Sequence, residues 1–237
     1  QNFNFNNSPL NDDNVFTNTQ NTYSLKEEDI HEEVSTRIRL GFIRKVYGIL
    51  SVQLFITILF CVFSMTSITF QKFLLTNLGI MWLMLFIIII IPFIIICFPG
   101  TMRTIPLNYI ILFLFTLAES YLVGFICLAT APKIVFMAAF MTFAMVFTLT
   151  IYAITTKRDF TLYGGWLFIF CNVLILFTIF GCFTDNKMFH VVICLIGVVF
   201  FSFYLIYDTQ LIVGNKKELI DVDDYILGSF LLYTDII

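Results

Sequence analysis

Charge is scarce in this chain: Asp, Glu, Lys and Arg make up only 12% of its 237 residues, about half the share of an ordinary soluble domain. Histidine is nearly missing, with His31 and His190 alone, and none of the six cysteines forms a CxxC pair. Those absences leave no ligand set for a structural zinc or iron site, and the cysteines, all in or at the end of apolar runs, read as small buried apolar residues. There is no Gly-rich phosphate loop, no GxSxG elbow and no basic stripe interleaved with aromatics. Soluble-enzyme chemistry and nucleic-acid binding are therefore not expected, and neither is a cofactor. No short apolar segment precedes the polar N-terminal stretch, so a secretory signal is not expected either.

What the chain has instead is apolar length. Hydrophobic residues are 59% of it and Phe alone supplies 30. Seven apolar stretches occur near residues 46–65, 78–98, 107–129, 134–154, 162–183, 189–213 and 225–237. The first six have the ~20 residues that a helix needs to cross ~30 Å of hydrocarbon. The seventh ends after 13 residues. Because the chain also begins with Gln1, a fragment cut at both ends is expected. The fold class that follows is an all-α membrane protein with seven transmembrane helices, the last one truncated.

The cations are distributed unevenly. Lys26, Arg37, Arg39, Arg44 and Lys45 precede the first span, and Arg103, Lys157, Arg158, Lys216 and Lys217 fall in the even loops, whereas the odd loops hold only Lys72, Lys133 and Lys187. Ten against three places the N-terminus in the cytoplasm together with the loops after spans two, four and six. Residues 1–36 are expected to form a disordered cytoplasmic tail ahead of a seven-helix domain at 37–237. Eight asparagines fall within its first 22 residues without apolar periodicity. Ser24 and Glu27 have capping-box spacing, which suits the start of a short charged helix leading to Arg37.

Against this background three acids stand inside apolar runs: Glu119 in TLAESYLVG, Asp208 in YLIYDTQLIVG and Asp235 in LLYTDII. An ionisable group in a span costs about 2.5–3.5 kcal/mol on insertion scales, so its presence marks an ion, proton or substrate site. The bland alternative puts Asp208 at the cytoplasmic rim of its helix and Asp235 in a frayed terminus. Glu119 reads equally as an acid on an ion pathway and as a protonated acid bonded to a neighbouring helix. Beside it, Ser120 and Gly124 have the small-xxx-small spacing of close helix approach. Glu218, Asp221, Asp223 and Asp224 read first as acids favouring a helix N-terminus, and secondarily as a cation-attracting pore mouth.

Six segments in order, RKVYGILSVQL, FTLAESYLVG, PKIVFMAAFMT, TTKRDFTLYGGWL, FSFYLIYDTQLIVG and DDYILGSFLLYTDII, resemble the transmembrane Bax inhibitor motif family, specifically its lifeguard branch. The resemblance runs from about Arg37 to the end of the chain, and its most specific part is YDTQ followed by LYxD. It implies seven helices with the last one central, and a role in calcium handling and suppression of cell death in internal membranes such as the endoplasmic reticulum or Golgi. It further implies that Asp208 and Asp235 form a hydrogen-bonded pair that senses pH and gates a calcium leak, with Arg103 the nearest match to a latch arginine. Relatives continue past the point corresponding to LYTDII.

Two carboxylates within hydrogen-bond reach cannot both ionise cheaply, so they share a proton and titrate as a unit. Once deprotonated they repel and present oxygen ligands to a hard cation such as calcium, a transient site at Asp208 and Asp235. Three classes of function remain on the sequence: a pH-sensitive calcium leak channel, a non-conducting regulator that binds other membrane proteins, and, remotely, an intramembrane aspartyl protease, whose GxGD and PAL signatures are missing. The partners expected are the lipid bilayer, calcium ion and other membrane proteins.

Overall fold

The computed structural model of the chain describes residues 12–214 and 220–237. Among these residues there are helices and no strands. They are α1 (Asp12–Thr66), α2 (Ile68–Thr76), α3 (Leu78–Cys97), α4 (Leu107–Leu128), α5 (Pro132–Thr155), α6 (Gly164–Gly181), α7 (Lys187–Val213) and α8 (Tyr225–Ile236), with short 3-10 turns at Pro99–Arg103 and Thr161–Tyr163. Six of the helices, α1 and α3 to α7, are long and apolar enough to cross a membrane.

Residues 1–41 and 42–237 are two separate units. In the first, the guanidinium of Arg37 donates to Glu33 one turn away at 2.7 Å. Helix α1 begins at Asp12, inside the stretch expected as a tail, and Ser24 falls within it rather than at a helix start. No proline or glycine lies between Asp12 and Leu40 to interrupt helical hydrogen bonding. The first eleven residues of the expected tail lie outside the described residues, as do Lys216, Lys217 and Glu218.

In the second unit the helix ends follow local chemistry. Ser67 caps α2 by accepting from the Phe70 amide at 3.3 Å, and Asn186 caps α7 by accepting from the Met188 amide at 3.0 Å. Pro132 opens α5 at a position where its missing N–H costs nothing. Gly214 ends α7 with φ 79°, the left-handed region in which a β-carbon is penalised. The end of α1 is satisfied from α2, where Gln71 donates to the carbonyls of Ser64 and Met65 at 2.9 and 3.3 Å. That matters in hydrocarbon, where water is not available for unpaired carbonyls.

The burial pattern is that of a bundle in lipid. Helix α5 buries only Ala153 and α6 only Gly181, while Phe136, Phe140, Trp166 and Phe168 face outward. Cys97, Cys182 and Cys194 are likewise exposed, and only Cys127 is buried. The expectation of six buried cysteines is corrected because a lipid-facing surface accepts a thiol as readily as a core does. By contrast α8 buries Ile226, Gly228, Ser229, Phe230, Leu232 and Tyr233, half of its 12 residues. It shares one hydrophobic core with Val46 and Leu50 of α1, Ile91 and Ile95 of α3, Phe115 of α4 and Leu205 and Ile212 of α7. A β-carbon at Gly228 would stand 3.2 Å from Val46 and 3.5 Å from Ile212, so α8 is central and closely held. Its 12 residues reach about 18 Å at ~1.5 Å each, short of a full crossing.

Candidate functional site: a carboxyl pair between two helices

Asp208 lies on α7, six residues before the Gly214 cap, which sets it about 9 Å inside the helix end. Its residue is only 4% exposed, so it does not occupy a solvated rim. Asp235 lies in the last turn of α8. The two carboxyls lie within reach of a hydrogen bond to each other. A carboxylate has no donor, so this bond requires a proton on one of the two groups. The Oδ2 atom of Asp235 is enclosed and has no hydrogen-bond partner among the described residues. One bond thus consumes part of the pair's acceptor capacity and leaves an oxygen free for a donor or a cation.

Arg103 stands apart from this pair. Its Nε donates to Asp224 Oδ1 at 2.8 Å and its Nη2 to Asp224 Oδ2 at 2.6 Å, with a longer contact to Asp221 at 3.3 Å. No ion pair joins Arg103 to Asp208 or Asp235 among the described residues. The hydrogen bond and charge of Asp224 push the guanidinium further above its already high range, so it stays charged. Asp224 holds the N-cap position of α8 without making a capping bond. Of the acids expected to favour the helix dipole there, Asp221 and Asp224 also hold the guanidinium of Arg103.

Glu119 is half-buried on α4 and makes no hydrogen bond or ion pair with a described residue. Its neighbours along α4 form a polar ladder with α1. Gln53 donates to Thr116 at 3.0 Å, Thr57 bonds Ser120 at 3.0 Å, and the Tyr233 hydroxyl of α8 reaches Thr57 at 2.7 Å. All five residues are buried. The equal offset of 63 in both α1–α4 pairs shows that these helices run parallel in register. Gly124 continues the seam, since a β-carbon there would lie 2.7 Å from Ser64 Oγ. The small-residue spacing at 120 and 124 therefore does mark a close helix contact.

Two features were missed on the sequence. The ladder has a signal, because Gln53, Thr57 and Ser64 recur on one face of an apolar span. The other is Gln210, two residues after Asp208. Its Nε2 donates to the carbonyls of Arg158 and Ala153 at 3.0 and 3.3 Å, and its Oε1 accepts from the Phe160 amide at 2.8 Å. A buried amide in YDTQ thereby fixes the loop between α5 and α6.

The family described as inhibitor of apoptosis-promoting Bax1 matches residues 39–237. The human protein named Protein lifeguard 3 is 34% identical over 209 residues, covering 85% of this chain and 66% of the human one. The mouse protein of the same name is 32% identical with the same coverage. In Arabidopsis thaliana, Protein LIFEGUARD 3 is 32% identical over 237 residues, covering 98% of this chain and 92% of the plant protein. The chain thus spans 66% of the length of its human and mouse relatives. No solved structure matches it. With a family match across both acid-bearing helices and six helices of membrane-crossing length, the chain belongs to the family of inhibitors of apoptosis-promoting Bax1 and is a multi-pass integral membrane protein.

Proposed function

We propose that this protein is a pH-sensitive calcium leak channel of internal membranes, the endoplasmic reticulum or Golgi, gated by Asp208 and Asp235 and modulating cell death. The observation that carries the reading is the enclosed juxtaposition of two carboxyls, within reach of a shared hydrogen bond, between α7 and the central helix α8. The bond persists only while a proton is shared, and in that state it draws the two helices together. As pH rises and the proton leaves, two carboxylates repel each other at close range. They then offer anionic oxygens to a hard cation, which calcium takes in preference to softer ligands. Leak accordingly rises with pH and falls with acidification.

In this reading the protein moves an ion rather than transforming a substrate, and calcium is cargo. The family description names apoptosis, and calcium release is the step by which this protein modulates that outcome. The test is calcium flux across liposomes holding the full-length protein, measured over a range of pH. A leak that falls on acidification, and loses this dependence in Asp208→Asn, is the expected result. A protein that conducts no calcium at any pH, while still folded, would replace the channel with a non-conducting regulator acting through other membrane proteins.

A further inference from the structure

A cavity of about 900 Å³ opens between α6 and α7, walled by Trp166, Phe170, Leu195, Val199 and Phe203 and bounded at one end by Arg158. We propose that it is a binding groove for an anionic glycerophospholipid of the leaflet facing the Lys157–Arg158 loop, with the headgroup phosphate at Arg158 and an acyl chain between the two helices.

The dimensions identify the occupant. From Phe203 to Leu195 the wall extends over eight residues of α7, about 12 Å at ~1.5 Å each. One leaflet contributes roughly 15 Å of the ~30 Å hydrocarbon core. The groove therefore starts at a polar loop and runs inward for about one leaflet, the shape of a lipid and not of a soluble metabolite. Its volume lies at the upper end of the roughly 300–1,000 Å³ range of small-molecule sites. Tyr163 and Trp166 stand near the polar end, the depth at which amphipathic rings settle in a membrane.

Charge selects among lipids. Arg158 makes no side-chain ion pair among the described residues. The adjacent acid, Asp159, also lines the cavity, with its Oδ1 held by the Thr161 amide at 3.0 Å and the Thr161 hydroxyl at 2.5 Å, so the Lys157–Arg158–Asp159 loop brings two cations against one acid. With no carboxylate paired to it among the described residues, the guanidinium presents a planar fork that matches phosphate. An anionic headgroup adds attraction that the choline cation of a neutral lipid cancels. The mouth is also held in place before any lipid arrives, because Gln210 bonds the Arg158 carbonyl and the Phe160 amide.

The two tryptophans of the chain make the test direct, since Trp166 lines the groove and Trp82 lies on α3. The full chain carrying Trp82→Phe is placed in phosphatidylcholine vesicles with a minor fraction of acyl-brominated lipid, either phosphatidylserine or phosphatidylcholine. Brominated phosphatidylserine should quench Trp166 more strongly, equivalent to an enrichment of about fivefold, the scale of one basic side chain near an anionic lipid. Arg158→Gln should erase the difference and Arg158→Lys should retain it, which separates loss of charge from loss of fold. In Trp166→Phe, Trp82 should be quenched equally by both lipids. Equal quenching of Trp166 by the two lipids overturns the proposal, as does a preference that survives Arg158→Gln.

Discussion

Arg103 and Asp224, 121 residues apart in the chain, meet through two parallel hydrogen bonds of 2.8 and 2.6 Å. The fork ties the turn after α3 to the N-cap residue of the central helix. Asp224→Asn keeps the size of the side chain but removes its charge, and is expected to lower the melting temperature and speed amide exchange in the first turn of α8. Arg103→Lys should restore little, because an ammonium cannot bridge both oxygens in one plane. Exchange protection in α8 that is the same in Asp224→Asn and the parent protein would refute the clamp.

Asp208 and Asp235 should behave as one titrating unit. Each single change to Asn is expected to flatten the pH profile of calcium leak, and the double change should be no flatter than either single, because members of one network are non-additive. Additive effects measured by liposome flux would mean that the two carboxyls sense pH independently.

At the α1–α4 seam, Gly124→Leu forces a side chain into the space of Ser64 and the Phe60 backbone. Overpacking of this kind costs about 1–3 kcal/mol. Gly124→Ala should be milder and should be largely rescued by Ser64→Ala, which removes the atom 2.7 Å from the new β-carbon. Thermal unfolding in detergent gives the cycle. Absence of rescue would place the cost elsewhere than at Ser64.

Glu119 has no hydrogen-bond or ion-pair partner among the described residues, so Glu119→Gln preserves shape and removes only the capacity for charge. If the acid lines the ion path, calcium flux should fall while the melting temperature stays nearly constant. The reverse result, unchanged flux with a lower melting temperature, assigns it a structural part.

The cation asymmetry makes a separate claim about orientation. Tags at Gln20 and between Lys216 and Lys217 should be accessible from the cytoplasm, and one at Lys187 from the opposite side. Protease protection in sealed microsomes decides it, and finding Gln20 and Lys187 on one side would remove the seven-span arrangement.

The spans were legible because hydrocarbon demands long apolar helices, and the boundaries of α3 to α7 follow the apolar runs within a few residues. Helix α2 was not anticipated, since nine residues between two spans carry too little pattern to separate from a loop. Asp208 and Asp235 stood out as acids among apolar neighbours, but their meeting depends on how α7 and α8 pack, which spacing along the chain does not encode. Arg103 was singled out, whereas its bonds to Asp221 and Asp224 join distant loops and leave no local trace. Gln210 passed unnoticed because an amide has no charge to draw attention, although its burial makes each of its bonds obligatory.

The anchoring of the α5–α6 loop by Gln210 gives α7 a handle outside the hydrocarbon. Gln210 follows Asp208 by two residues on a stiff helix, so any slide or rotation of α7 large enough to part the carboxyls must either carry residues 158–160 along or break the two hydrogen bonds that Gln210 makes to them. Motion deep in the bundle is thereby transcribed onto a surface loop, where a spin label or a fluorophore beside Arg158 would report it without touching the acids themselves.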